Sequence, residues 1–255
     1  MRIIATAIAC FAASPSFGQS QMTMGGVVDL RLQKLNASGT GKKLQMTDGG
    51  LNTSRIFFRG QEDLGGGQYA GFWLEGGINS QNGTGKFIYT NNQPTGFISS
   101  GSLVFDRMAF VRLGGPWGEI RLGKDYMQSH WVNILFDPFA GNGVAKDLNL
   151  TFSAAGNAPF PTAVVGSNQL SYSLPSGLGG FYATLQGGMG ENSSATANQD
   201  DGNFLSMRAG YNQGSVHVGM AYSRTNYAST AQLGDYTHTN IGGVWNAGFA
   251  RFMGL

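Results

Sequence analysis

Side chains able to do chemistry are few in this 255-residue chain. Lysine, arginine, aspartate and glutamate make up 12% of it, and the histidines are three: His130, His217 and His238. Acid–base or metal chemistry needs such groups gathered, with a base beside a nucleophile or ligands at metal spacing. No Ser-His-Asp grouping, metal spacing or phosphate loop accompanies them. The glycine runs at 65–67 and 177–180 read as turns between strands, with no following helix to hold a phosphate. An enzyme, a cofactor and a metal are therefore not expected. What remains is the chemistry of fixed charge in a regular pattern. In "RIFFRGQEDLGGGQYAGFWLEGGIN", Arg55 and Arg59 stand on the face opposite Ile56 and Phe58, and Glu75 on the face opposite Phe72 and Leu74. Arg31 sits between Leu30 and Leu32, Arg121 between Ile120 and Leu122, and Arg208 between Met207 and Ala209.

Elements with a period of two must carry these charges, because strict alternation of apolar and polar residues is the mark of a strand. Met22, Met24, Val28, Leu30 and Leu32 share one face of a first strand, with Asp29, Arg31 and Gln33 on the other. Leu205, Met207 and Ala209 oppose Ser206 and Arg208, and Val216, Val218 and Met220 oppose His217, Gly219 and Ala221. Short links at 63–67, 114–118, 176–180, 212–214 and about 245–248 alternate with long polar ones at about 35–52, 79–102, 128–166, 191–202 and 228–235. Antiparallel up-and-down strands put successive links at opposite ends, so one end is tight and the other heavily looped. That asymmetry points to an all-β, antiparallel transmembrane barrel with short periplasmic turns and long external loops. A sheet can cross lipid only if its backbone groups are paired by closure. Tyr69, Tyr126, Tyr211, Tyr222 and Trp245, near strand ends, suit interfacial girdles.

Composition agrees. Glycine is abundant, 41 residues against roughly 7% in average usage. No apolar run reaches the ~18 residues of a spanning helix. A net charge of +2 without a Lys/Arg cluster gives no nucleic-acid surface. Residues 1–18 read as a secretory signal: Arg2, an apolar stretch from Ile3 to Ala13, then Ser16 and Gly18 before a cut at Gln19. Cys10, the single cysteine, lies inside that signal, which excludes a disulfide framework or a thiolate metal site in the processed chain. Residues 19–255 form the barrel domain.

"MTMGGVVDLRL", "SRIFFRGQEDLGGGQYAGFWLEGG", "FDRMAFVRLGGPWGEIRLGKDY", "FDPFAGNG" and "NQLSYSLPSGLGGF" together resemble the general diffusion porins of Gram-negative outer membranes, above all their β-proteobacterial branch. The resemblance implies homotrimers of 16-stranded barrels in outer-membrane lipid, passing ions and small hydrophilic solutes. It also implies a third external loop, here residues 128–166, folded inward to narrow the pore. Carried over by motif, Asp137 is the acidic residue of that constriction, with Asp147 a second. Arg31, Arg55, Arg59, Arg107, Arg121 and Lys124 form the facing basic wall. For Lys124 the two lines conflict: alternation from Ile120 and Leu122 points it outward, and the resemblance points it inward. A bulge near Gly123 would reconcile them. An excess of inward cations implies a preference for anions.

Against the family pattern, the chain covers about the first ten or eleven strands and ends at Leu255 where the family has an aromatic residue. The expectation is a C-terminally truncated porin. The alternatives are a structural or adhesive outer-membrane barrel, or a fragment without function.

Overall fold

The computed structural model describes residues 21–37, 39, 41–99, 101–143, 145–149, 160–227 and 234–255. The expected export signal and Cys10 lie outside them. The chain begins with β1 (Gln21–Val27), β2 (Leu30–Ala37), β3 (Gly41–Asp48), β4 (Arg55–Gly65) and β5 (Gln68–Asn79). Three two-residue strands follow, β6 (Thr84–Gly85), β7 (Ile88–Tyr89) and β8 (Phe97–Ile98). Then come β9 (Met108–Gly115), β10 (Gly118–Tyr126), the helix α1 (Gln128–Phe136), β11 (Val165–Ser173) and β12 (Phe181–Gly188). The last are β13 (Phe204–Gln213), β14 (Val216–Thr225), β15 (Tyr236–Asn246) and β16 (Arg251–Gly254).

The long strands pair in the order β1-β4-β5-β9-β10-β11-β12-β13-β14-β15-β16. Every neighbouring pair is antiparallel. This is the up-and-down meander that alternation and link lengths predict. Its tight end includes the β4–β5 turn, where Gly65, Gly66 and Gly67 all have positive φ, +82°, +61° and +76°. Side chains rarely adopt that conformation, so the three glycines let the chain reverse in so few residues.

The two faces of the sheet are inverted relative to a soluble protein. Val111, Leu122, Leu170, Leu185, Met220 and Ile241 point outward, each more than half exposed. Ser171, Gln186, Ser206, Ser223 and Asn240 are buried on the other face, the one that carries α1. An apolar outer face and a polar inner one suit lipid outside and water inside. The buried apolar clusters are small. One joins Met108, Phe110 and Tyr126 to Trp131, a second is Val132, Phe136 and Ala221, and a third holds Ala163, Tyr227 and Tyr236. Each includes residues from 126–136 or 160–164, so packing serves to seat those two stretches inside the sheet.

Three sequence expectations are corrected. The first strand does not run on through Arg31. Its pairing with β4 stops at Val27, and the end of the expected strand joins the expected long link in a separate hairpin of β2 and β3. The cause is Asp29, whose carboxylate accepts the amides of Gly50 (3.1 Å), Leu51 (2.6 Å) and Asn52 (2.6 Å). Its own N–H donates to Ser54 Oγ at 2.9 Å. Tyr69 and Tyr126 are not girdle residues. Tyr69 turns inward and donates to Glu119, and Tyr126 is buried. Trp245 does lie on the outside, stacked on Phe252 at 5.5 Å. Finally, a helix stands where only a loop was expected.

The bonds from Leu51, Asn52 and Gly50 hold the Asp29 carboxyl below its ordinary value, more than burial raises it. A carboxyl so lowered adds order above the ordinary carboxylate range and loses it as pH falls through the lowered value. Amide exchange at 50–52 is therefore expected to be slower than in Asp29→Ala at neutral pH. The difference should close as the medium is acidified below that range. Equal exchange at neutral pH would show that the Asp29 bonds do not order the link.

Candidate functional site

The inner face of β4, β5, β9 and β10 carries charges in two linked layers. In the first, Glu75 on β5 is almost fully buried and receives Arg107 at 2.5 Å and Arg55 at 3.5 Å. Trp73 Nε1 donates to the same carboxylate at 3.2 Å. In the second, Glu119 on β10 receives Arg121 at 2.6 Å, Arg112 at 3.3 Å and the Tyr69 hydroxyl at 2.7 Å. Arg121 also donates to Asp125 at 2.7 Å. Register explains both layers: Arg55 pairs with Gly77 and Arg112 with Arg121, so side chains of one parity converge on one face.

The arginines are also shelved on rings. Arg59 lies 5.2 Å from the Trp73 centroid, Arg107 5.5 Å from Tyr126, Arg112 5.4 Å from Tyr69 and Arg121 4.8 Å from Phe110. Each such contact contributes about 0.5–1 kcal/mol where water reaches it. It also holds the guanidinium beside the wall, while Arg107, Arg112 and Arg121 keep their ion pairs. Arg59 is exposed and forms no ion pair among the described residues.

Across from this wall, α1 lies on the inner face of β13, β14 and β15. The Gln128 N–H donates to Ser206 Oγ at 2.9 Å, Ser206 and Ser223 hydroxyls meet at 2.6 Å, and Ser223 Oγ donates to Ser129 Oγ at 2.8 Å. Asn240 donates to the Ser129 carbonyl at 2.8 Å and to Asn133. Phe136 enters a slot made by missing side chains. A Cβ on Gly242 would come 2.6 Å from Phe136 Cβ, and one on Gly219 would come 3.2 Å from its ring. The alternation of β14 and β15 places both glycines on this face. Burial, with a smaller contribution from the Arg107 charge, holds the His130 imidazole down to about 3. The helix therefore adds no cation of its own near neutral pH.

The acidic candidates of the loop do not face the basic wall. The Asp137 carboxylate turns into its own loop, accepting the amides of Phe139 (2.9 Å), Gly141 (3.0 Å) and Asp147 (3.1 Å). It is almost fully buried, and a carboxylate with three amide donors is already satisfied. Asp147 lies beside it; burial and then the Asp137 charge push its carboxyl up. Glu75, Glu119 and Asp125 take the acidic places instead. Alternation marks Glu75 and Glu119 as inward, but only packing shows which cations they meet.

Among the basic candidates, the structure brings Arg55, Arg59, Arg107 and Arg121 together and leaves two aside. Arg31 is in the separate hairpin and donates to Thr47 Oγ1 at 3.0 Å. Lys124 is buried, its Nζ donating to the Tyr89 carbonyl at 3.0 Å, with Asp106 as its acidic neighbour. The β10–β11 register shifts between Gly123 and Asp125. Asp125, not Lys124, joins the layer with Arg121. The segment covering Lys124 is anchored by Asn92, which accepts the Ser167 amide at 2.7 Å and donates to the Ser167 and Met189 carbonyls at 3.0 and 3.1 Å.

This geometry has relatives. The sequence pattern of the Gram-negative porins matches residues 5–255. Outer membrane porin protein 32 of Delftia acidovorans is 30% identical over 253 residues, covering 98% of this chain and 67% of its own. An outer membrane porin protein of Bordetella pertussis is 24% identical over 264 residues, covering 93% of this chain and 62% of its own. Among solved structures, an anion-selective porin from Comamonas acidovorans superposes with a TM-score of 0.76 at 28% identity, over 92% of this chain and 66% of that one. OmpF of Salmonella typhi shares the fold at 13% identity, with a TM-score of 0.54 over 92% of this chain and 64% of that one. The chain thus spans about two thirds of the length of the relatives it matches.

Proposed function

Because this chain belongs to the Gram-negative porin family, we propose that its inner face lines a water-filled outer-membrane channel for passive diffusion of ions and small hydrophilic solutes, with anions favoured. Residues 1–18 serve as its export signal, and it assembles as a homotrimer in outer-membrane lipid. Arg55, Arg59, Arg107 and Arg121 line the narrow part, and α1 with the loop after it supplies the constriction. One observation carries the preference for anions: the arginines converging on the inner face outnumber the carboxylates among them. Arg55 and Arg107 share the single charge of Glu75, Arg112 and Arg121 are matched by Glu119 and Asp125, and Arg59 has no acidic partner among the described residues. Low-dielectric walls focus such an excess on the water between them. The name of the Comamonas acidovorans structure, an anion-selective porin, supports the same sign.

Reversal potentials across a planar bilayer under a KCl gradient test this. Chloride preference is expected. Arg59→Glu should move the potential toward the cation side, because it replaces an exposed cation by an anion at one position. Phe72→Leu, on the outer face, should leave it in place. Salt screens the effect, with a Debye length of about 10 Å at 0.1 M and 3 Å at 1 M, so the shift should shrink at high salt. Absence of conductance, or cation preference in the unaltered protein, would overturn the proposal.

A further inference from the structure

Arg208 on β13 is the second inner-face arginine without an acidic partner, and unlike Arg59 it is walled in. Its guanidinium carbon lies 5.8 Å from the Trp131 centroid on α1 and 5.4 Å from the Tyr182 centroid on β12. No carboxylate stands within ion-pair distance of it among the described residues, and its Nε is buried without a hydrogen-bond partner. It borders a cavity of about 350 Å³ under the helix, whose lining includes Trp131, Leu135, Tyr182, Thr184 and His217. Tyr182 is fixed in turn, its hydroxyl 3.0 Å from His217 Nε2. Asp125 also borders the cavity, but both of its oxygens are occupied, one by Arg121 at 2.7 Å and the other by the Tyr126 amide at 2.7 Å.

We propose that this cavity is a binding subsite for a small organic carboxylate, held by Arg208 with its apolar body against Trp131 and Leu135. A guanidinium held beside two rings and paired with no carboxylate among the described residues keeps N–H donors for a ligand, and paired N–H donors match a carboxylate. The volume lies at the small end of ligand pockets, enough for a benzoate-sized acid with some water. The subsite lies between α1 and the β10–β13 wall and adjoins the Glu119 layer, whose Arg121 and Asp125 also line the cavity. It deepens the anion-channel proposal and rests on it for access from the water of the lumen.

Calorimetric titration of the folded, detergent-solubilised protein with sodium benzoate at low salt tests the subsite. One saturable site is expected, and the neutral analogue benzyl alcohol should not fill it. Arg208→Gln should weaken binding by about tenfold or more, the usual effect of losing a charge-assisted pair, and Arg208→Lys, which keeps charge without the paired geometry, by less. Trp131→Leu, which retains the cation and removes a flat wall, should weaken benzoate while leaving inorganic phosphate unaffected. It also serves if Arg208→Gln fails to fold. No saturable benzoate binding, equal binding of benzyl alcohol, or undiminished binding after Arg208→Gln or Trp131→Leu would overturn the subsite. Conductance of the same unaltered preparation separates the two proposals. A conducting protein that ignores benzoate loses the subsite alone, and a non-conducting one loses the channel whatever the titration reads.

Discussion

Replacing residues 133–147 by a short glycine linker is expected to raise single-channel conductance by about twofold or more, since current through a wide pore follows its narrowest open section. The excised segment contains the second half of α1, the Phe136 seat and the turn built around Asp137. The anchors that hold the first half remain: Gln128 and Ser129 still meet Ser206 and Ser223, and Asn240 keeps the Ser129 carbonyl. The shortened loop therefore stays against the β13–β15 wall and does not fall across the opening. Emptying the Phe136 slot costs local packing, about 3–5 kcal/mol by analogy with Phe→Ala substitutions in cores. The sheet pairings do not pass through it, so folding in detergent should survive. Bilayer recordings at high salt read the result directly. A small current unchanged by the deletion would point to a structural barrel whose interior is closed by something else.

The second large effect is expected from Glu75→Gln. This carboxylate stands between Arg55 and Arg107, is almost fully buried, and also accepts Trp73 Nε1. The amide keeps its shape and one acceptor but removes the one negative charge of the layer. The two guanidinium groups then repel each other across a site with little water of its own. Loss of one partner of a buried pair commonly costs about 3–5 kcal/mol. Both arginines retain some contact with water, so about 1–3 kcal/mol is the reasonable expectation here. Thermal unfolding in detergent should show the loss. In a bilayer the same change should strengthen chloride preference at low salt, opposite in sign to Arg59→Glu. A variant with unchanged reversal potential would show that the Glu75 layer lies outside the ion path.

The meander was legible because its signals are local. Alternation in 55–61 and 68–78 gives the faces of β4 and β5 directly, and the triple glycine between them gives the turn. The inward parity of Arg55, Arg59, Glu75, Arg121 and Arg208 follows from the same period of two. The helix was not legible as an isolated signal. Its nine residues, Gln128–Phe136, hold Val132 and Phe136 at helical spacing, but a segment so short is marginal alone and is stabilised by the wall it meets. Asp29 misled for a related reason. On an alternating run it reads as one more polar strand residue, and only a loop about twenty residues downstream, folded back to offer three amides, makes it end the pairing.

The acidic side of the site shows the division most sharply. A motif places a carboxylate at 137 on the loop, but it does not specify the direction of that carboxylate. Three backbone amides lie closer than any arginine, and a buried carboxylate turns to the donors within reach. What the sequence determined by itself is the sheet, its two faces, its tight and looped ends, and the sign of the charge on the inner face, because each depends on neighbours one or two residues away. Tertiary structure alone decided which arginines have an acidic partner, since pairing depends on distances between strands far apart in the chain. Arg107 is matched by Glu75, from β5, while Arg208 stands between Trp131 and Tyr182 with no carboxylate at ion-pair distance among the described residues.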